Sequence, residues 1–566
     1  MDRKVLIFAI VAAILAYEIM VPLVILVWTS FTDAHPGARD FFSLESLTLS
    51  NYARAFSGTA AEAAWNTAIF ATGVTVFSFL SGGYLAWVVE RTNTPLRRLI
   101  TILCLLRLII PGIMTTVAWI LLASPQIGII NEQLQRLPWV SGPVFDIYTM
   151  WGMIWVEGLD IVPLAYLLMA AALRSMDPSL EEASLMSGKG RIATSFFVTF
   201  PLIKPAILAA LILILIRGIE TFEVPALIGL PVGIFTFVIE IYLNTNGVPA
   251  DSGLAAVYAV VVLAFCACLI WFYSRMTGNA EMFATISGKA FRPRTADLGW
   301  ARWAHFAVAM AIMTASVGLP LLVLVWASLS PPFQPIQPFT PEGMSNFTLE
   351  SYRSVLSSEL TRRAFRNSTV LGIGAGIAVV SLISVVAWIT VKTKVPGRRL
   401  LDHLAFAPIA IPSVLMGVAF LWFYLSVPIP VYGTLWILLL LYIAKYTPVV
   451  MRVMSSSMTQ IDDELLEASQ VTGATWWRTF RTVALPLLKP GLLAGGIYVV
   501  IHAFRELSSS LFVYAGGTEV VGVAMFSLWD DGSYGLLAAF GVLTLLVVTA
   551  LSLIANMIAS RFGVRE

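Results

Sequence analysis

Twelve stretches of this chain are apolar for about 20 residues or more, the length a helix needs to cross the hydrocarbon core of a bilayer. They are 5–29, 64–89, 99–123, 147–172, 204–228, 253–274, 303–328, 367–390, 401–427, 434–454, 490–514 and 534–559. In hydrocarbon every backbone N–H and C=O must find a partner inside its own segment, so such stretches fold as helices. Of 566 residues, 58% are hydrophobic and 12% charged, about half the charged share of a soluble domain. The fold class is therefore an all-α polytopic membrane protein with about 12 transmembrane helices, and no nucleic-acid partner is expected.

The loops orient these spans. With a cytoplasmic N-terminus, 24 of the 35 Lys and Arg residues fall on the cytoplasmic side, Lys204 and Arg452 at the inner ends of their spans included, and 7 on the other. This bias satisfies the positive-inside rule and puts both termini in the cytoplasm. The four remaining cations, Arg107, Arg217, Lys445 and Arg505, lie within spans. The apolar run from Val5 to Trp28 follows Arg3 and Lys4 and is too long for a signal-peptide core, so it reads as an uncleaved first helix. Cys104, Cys266 and Cys268 all sit in apolar runs without metal-ligand spacing and read as small core residues.

The chain repeats itself. Val27-Trp28-Thr29-Ser30 recurs as Val325-Trp326-Ala327-Ser328, and Asn66-Thr67 as Asn367-Ser368. Pro111 recurs as Pro412, Pro163 as Pro448 and Pro201 as Pro486. The offset falls from 301 to 285 between Pro111 and Pro163, where the first half has the longer outer loop. The domains are a first six-span repeat at 1–274, a cytoplasmic linker at 275–302 and a second six-span repeat at 303–566. Both repeats insert the same way round, which relates them by an axis along the membrane normal.

The strongest repeat lies in two expected cytoplasmic loops, 173–203 and 455–489. One reads Asp177-Pro-Ser-Leu-Glu-Glu182-Ala183-Ser184-Leu-Met-Ser-Gly188, with Pro201 thirteen residues beyond. The other reads Asp462-Asp-Glu-Leu-Leu-Glu467-Ala468-Ser469-Gln-Val-Thr-Gly473, with Pro486 thirteen beyond. Asp177 and Asp462 stand as N-caps, and Pro178 suits a first helical position. Acidic first turns match the helix dipole, and Gly188 and Gly473 supply left-handed C-caps. Each loop is predicted to be helix, Gly turn, helix, with the second helix running to Pro201 or Pro486.

These loops resemble the Glu-Ala-Ala loop of binding-protein-dependent ABC importer permeases, with Ser184 and Ser469 in place of the second Ala. The resemblance covers essentially the whole chain. Glu220-Thr-Phe-Glu-Val-Pro, Phe504-Arg-Glu-Leu and Thr285-Ile-Ser-Gly-Lys-Ala-Phe-Arg-Pro-Arg look most like the fused ferric-iron branch. It implies a bacterial inner-membrane permease that moves substrate by alternating access, with ferric iron as the substrate. It also implies a periplasmic or lipid-anchored substrate-binding protein and two copies of a cytoplasmic ATPase. Glu182, Ala183, Ser184, Gly188, Glu467, Ala468, Ser469 and Gly473 would form the ATPase-coupling sites. The chain lacks Gly-x-x-x-x-Gly-Lys-Ser/Thr, so it is not expected to be an enzyme or to bind a cofactor; ATP would be hydrolysed by the partners. Fused permeases for thiamine, phosphonate or polyamine remain alternatives. So does a secondary transporter of major-facilitator architecture, which also has two parallel six-helix halves.

A charge near the bilayer centre costs about 2.5–3.5 kcal/mol and needs a partner or a role. Asp160 stands at the position of Lys445, and Glu220 at that of Arg505; Arg217 matches His502, and Glu223 matches Ser508. These residues are candidates for the translocation path or for pairing between the halves. The sign inversions predict a salt bridge across the interface, Asp160–Lys445 or Glu220–Arg505, in some state; Glu157 and Glu506 are the rival partners. Glu220, Glu223 and Glu240 offer carboxylates, but no spacing marks a metal-ligand set.

Overall fold

The computed structural model describes residues 3–176, 178–277, 295–337 and 339–561. Asp177 and most of the linker lie outside them. The first half contains α1 (Arg3–Ser30), α2 (Ala60–Arg91), α3 (Arg97–Arg107), α4 (Gly112–Ala123), α5 (Met150–Ser175), α6 (Pro178–Met186), α7 (Phe200–Glu220), α8 (Phe237–Asn246) and α9 (Ser252–Thr277). The second half repeats the order. It holds α10 (Ala301–Ser328), α11 (Glu359–Lys392), α12 (Arg398–Phe406), α13 (Ser413–Ser426), α14 (Leu435–Thr459), α15 (Asp463–Val471), α16 (Lys489–Arg505), α17 (Val521–Asp530) and α18 (Tyr534–Arg561).

Nine helices among the described residues are long and apolar enough to cross a membrane, and four further pairs pass as bent spans. The expected spans 99–123 and 401–427 are broken: α3 meets α4 at 104°, and α12 meets α13 at 107°. Pro111 and Pro412 sit at the breaks as N-caps of α4 and α13; each lacks an N–H and forces its predecessor out of the helical region. The expected spans 204–228 and 490–514 stop early, at Glu220 and Arg505, and short helical turns follow. Pro205 lies within one continuous span, Phe196–Glu220, whereas Pro490 coincides with a 70° bend between Trp476–Leu487 and α16. Gly491, Gly495 and Gly496 stand where the first half has Ala206, Ala210 and Leu211, and their weaker helix propensity permits the bend.

The expected outer loops 229–252 and 515–533 contain α8 and α17, which hydropathy length alone had left out. The Asn66-Thr67 and Asn367-Ser368 repeat explains them. Asn66 Nδ2 donates to the Phe235 carbonyl at 3.0 Å, and Thr67 Oγ1 accepts from the first N–H of α8 at 3.0 Å. Asn367 Nδ2 donates to the Gly517 and Glu519 carbonyls, and Ser368 Oγ accepts from the first N–H of α17 at 2.9 Å. The Val-Trp-x-Ser repeat works similarly. Trp28 and Trp326 donate to loop carbonyls at 2.7 and 2.9 Å, while Ser30 and Ser328 meet Tyr52 and Tyr352.

The halves exchange their first helices. α1 packs on α9 of its own half and on α13 of the other; α10 packs on α18 and on α4. The Tyr17 and Phe423 rings meet at 5.6 Å, and Tyr84 Oη lies 2.9 Å from His305 Nδ1. Pro163 deprives the Leu159 carbonyl of its helical partner, and Ser316 Oγ on α10 donates to that oxygen at 3.1 Å. The most enclosed spans are α5 and α14, 72% and 67% buried over their apolar windows, so they form the centre of the bundle.

The α2–α5 contact depends on Gly82. A Cβ there would lie 2.5 Å from Ala165 Cβ and 2.7 Å from the Tyr166 nitrogen and the Val162 oxygen, whereas at Gly83 it would meet only Met169 Cγ at 4.0 Å. Gly82→Val is therefore expected to destabilise the fold by about 1–3 kcal/mol, the usual overpacking range. Thermal unfolding in detergent checks this, with Gly83→Val close to wild type; equal midpoints for the two variants would refute it.

Candidate functional site

Both repeated loops lie at the end of the bundle where α2 and α11 finish. α6 and α15 each stop in a left-handed glycine, Gly188 at φ +81° and Gly473 at φ +88°. Lys189 N–H donates to the Ser184 carbonyl at 3.3 Å, and Ala474 N–H to the Ser469 carbonyl at 3.2 Å, closing the last turn alike in both halves. Asp462 Oδ1 accepts from Glu464 N–H at 3.3 Å as the N-cap of α15. The chain then reverses into short helices, Arg191–Thr194 and Trp476–Thr479. Each continues through one wider π turn, Ser195–Thr199 or Phe480–Ala484, before the Pro201 or Pro486 region. Those π turns are absent from the sequence expectation of a plain second helix.

Glu182, Ala183, Glu467 and Ala468 are exposed, while Ser184 is buried and Ser469 half-buried. Met186 and Val471, at matching positions on the ends of α6 and α15, are 89% and 87% exposed. Exposed acidic and apolar side chains thus share one face of each loop, as a docking surface requires.

Sequence reading missed how the loops are fastened. Arg91, ending α2, donates to Glu181 Oε2 at 3.1 Å and to the Leu173 carbonyl at 2.8 Å; Thr199 Oγ1 donates to Glu181 Oε1 at 2.6 Å. Lys392, ending α11, donates to the Ile461 carbonyl and to Asp463 Oδ1, both at 2.6 Å. Arg91 and Lys392 are related by the 301 offset, which was the available signal.

The intramembrane charges gather where the halves meet, and in this state the ion pairs form within each half, Lys445 taking the rival partner Glu506. Asp160 accepts from Arg107 of its own half, and Arg107 also donates to Thr115 Oγ1 at 2.9 Å. Lys445 pairs with Glu506, which also accepts from the Ser509 N–H and hydroxyl at 2.9 and 2.6 Å. Arg217 pairs with Glu220 one turn along α7. Glu157 accepts from Thr221 Oγ1 at 2.9 Å. Neither Asp160–Lys445 nor Glu220–Arg505 is a salt bridge among the described residues. The physical reason is local: Asp160, Lys445 and Glu220 each find an opposite charge in their own half, close to a helix break or helix end.

Two hydrogen bonds of these charged groups do cross, among the described residues. Arg505 donates to the Leu108 carbonyl, freed at the α3–α4 break, and Ser508 Oγ donates to Glu223 Oε1 at 3.4 Å. Glu223 and Ser508 are repeat counterparts, so symmetry-related positions near the axis face each other. The Asp160 and Glu223 carboxylates also converge on Gly112, each 3.9 Å from where a Cβ would stand, at the N-terminus of α4. His502 Nδ1 lies 2.9 Å from the Tyr498 carbonyl, and its ring stacks on Tyr498 at 3.9 Å. No group of three potential metal ligands occurs among the described residues.

Two parallel halves, broken helices at their interface and a matched loop on each define a membrane permease. A family model described as "Binding-protein-dependent transport system inner membrane component" matches residues 78–277 and again 380–564, and the chain belongs to this family. It is an inner-membrane transport component and not an enzyme, and its partners include a substrate-binding protein and an ATPase. The Fe(3+)-transport system permease protein FbpB 2 of Haemophilus influenzae is 23% identical over 489 residues, 86% of this chain and 88% of that protein. The ferric transport system permease protein FbpB of Actinobacillus pleuropneumoniae is 25% identical over 401 residues, and the match spans 70% of this chain and 56% of that protein. The Salmonella typhimurium protein PhnV, whose name assigns it to 2-aminoethylphosphonate transport, is 27% identical over 259 residues, 45% of this chain and 94% of that protein.

Proposed function

We propose that this chain supplies the whole transmembrane pathway of an importer for ferric iron, with one ATPase subunit docked on each repeated loop. The observation that carries this reading is the duplication: α6 and α15 end in the same glycine geometry, at one end of one chain, with matched exposed faces. Closure of the two ATPase subunits would draw the loops together and tilt α5–α7 against α14–α16. The interface charges would then re-form around the substrate as the pathway opens to the other side. The loop-bearing end faces the cytoplasm in this reading, along with both termini, on the strength of the Lys and Arg distribution. Ferric iron is favoured because two relatives matching most of this chain carry ferric transport in their names. Asp160, Arg217, Glu220, Glu223, Lys445, His502 and Arg505 are the proposed path and interface residues, and ATP is bound only by the partners.

The substrate assignment is tested by uptake of radioactive ferric iron into cells that depend on this permease. Iron-dependent uptake supports it; uptake of 2-aminoethylphosphonate in place of iron overturns it. The stoichiometry is tested separately by the mass of the intact complex. One copy of this chain with two ATPase subunits is expected, and two copies enclosing one pathway would contradict the fused arrangement.

A further inference from the structure

Both loops carry a second duplicated feature. Ser184 Oγ lies 3.0 Å from Thr194 Oγ1, and Ser469 Oγ lies 3.1 Å from Thr479 Oγ1. Each pair joins the last turn of the coupling helix to the last residue before the π turn. The serine is the position at which this chain departs from the Glu-Ala-Ala pattern, and a threonine stands ten residues later in both halves. Ser184 and Thr194 are buried, as is Thr479, so each hydroxyl has its partner inside the loop rather than in solvent.

We propose that these hydroxyl bridges brace each loop into a rigid lever, making Ser184, Thr194, Ser469 and Thr479 positioning residues for energy coupling. This rests on the importer reading above. The physical need is clear from the geometry. The exposed glycine at the reversal has no side chain to stiffen it; a Cβ at Gly188 or Gly473 would meet nothing within 4 Å. In this chain the cross-link resists bending of the reversal when force falls on α6 or α15, so that more of the movement reaches the following span. The bridge closes the reversal one turn before the glycine. The π turn directly after the threonine then joins the braced unit to α7, or to the Leu485–Leu487 turn ahead of α16; π turns of this kind recur at functional sites. The Arg91–Glu181 and Lys392–Asp463 contacts anchor the same unit to α2 and α11.

The experiment uses the complete complex with its ATPase subunits and binding protein in proteoliposomes, carrying S184A with S469A, or T194S with T479S. The serine-to-alanine pair is expected to assemble with its ATPase subunits, and its ATP hydrolysis is measured alongside import. Its ferric iron imported per ATP should fall about fivefold for each bridge, the factor a neutral hydrogen bond contributes. T194S with T479S keeps the hydroxyls and is expected to stay near wild type. Unchanged transport per ATP in the alanine pair overturns the proposal, as does an equal defect in both pairs, which would point to methyl packing. A readout independent of substrate is the distance between spin labels at positions 186 and 197. The distribution should broaden in S184A and stay narrow in T194S. Failure of the wild-type complex to import iron would sink the substrate reading alone, and the spin-label widths would still decide the brace.

Discussion

Gly473→Asp and Glu467→Lys are each expected to abolish transport in a protein that still inserts and folds. Gly473 sits at φ +88°, where any Cβ carries a penalty of about 1–2 kcal/mol. No neighbour lies within 4 Å of that Cβ, so the damage is conformational and confined to the end of α15. An Asp there also adds negative charge at the negative end of the helix dipole. Glu467 is exposed, and if the proposed docking places it against a basic ATPase surface, its reversal replaces attraction with repulsion. Both changes lie outside the packed bundle, which explains the expected retention of folding. Uptake and ATPase recovery on the purified permease are the measurements. Normal values for both variants would remove the loops from the coupling mechanism. Glu182→Lys and Gly188→Asp give the same test in the first half.

The second large effect concerns the buried ion pairs. Removing one member of a buried pair leaves the other charge uncompensated, at a typical cost of 3–5 kcal/mol. Asp160→Ala and Lys445→Ala are each expected to lose stability or transport on that scale. Recovery should come from the partner the structure gives each residue: Arg107→Ala rescues part of the Asp160 loss, and Glu506→Ala part of the Lys445 loss. The cross-half combination, Asp160→Ala with Lys445→Ala, should be additive. Double-mutant cycles measured by thermal unfolding separate these outcomes. Strong coupling between Asp160 and Lys445, without coupling to Arg107 or Glu506, would mean that the expected interface bridge dominates the folded ensemble after all.

Much of this protein is legible in its sequence because a bilayer leaves few choices. Span length, backbone satisfaction and the positive-inside bias fix the helical class, and the 301 and 285 offsets expose the two halves. The repeated loops were legible for another reason: a left-handed glycine and an exposed acidic face in each, and the Asp462 cap in the second, are local features. Only tertiary structure decided the rest. Hydropathy cannot tell a straight span from two helices meeting at 104°, because Pro111 breaks α3–α4 while Pro163 is accommodated inside α5. Both breaks in the hydrogen-bond ladder are answered from a neighbouring helix, Ser316 donating to the Leu159 carbonyl and Arg505 to that of Leu108, and only the packing of the whole bundle shows which span continues and which turns. Nor does sequence show that α1 and α10 cross to the opposite half. Charge partners followed the same rule. Repeat symmetry puts Asp160 opposite Lys445, but the arginine ending α3 and the carboxylate following α16 lie closer, and at intramembrane dielectric the nearest partner wins.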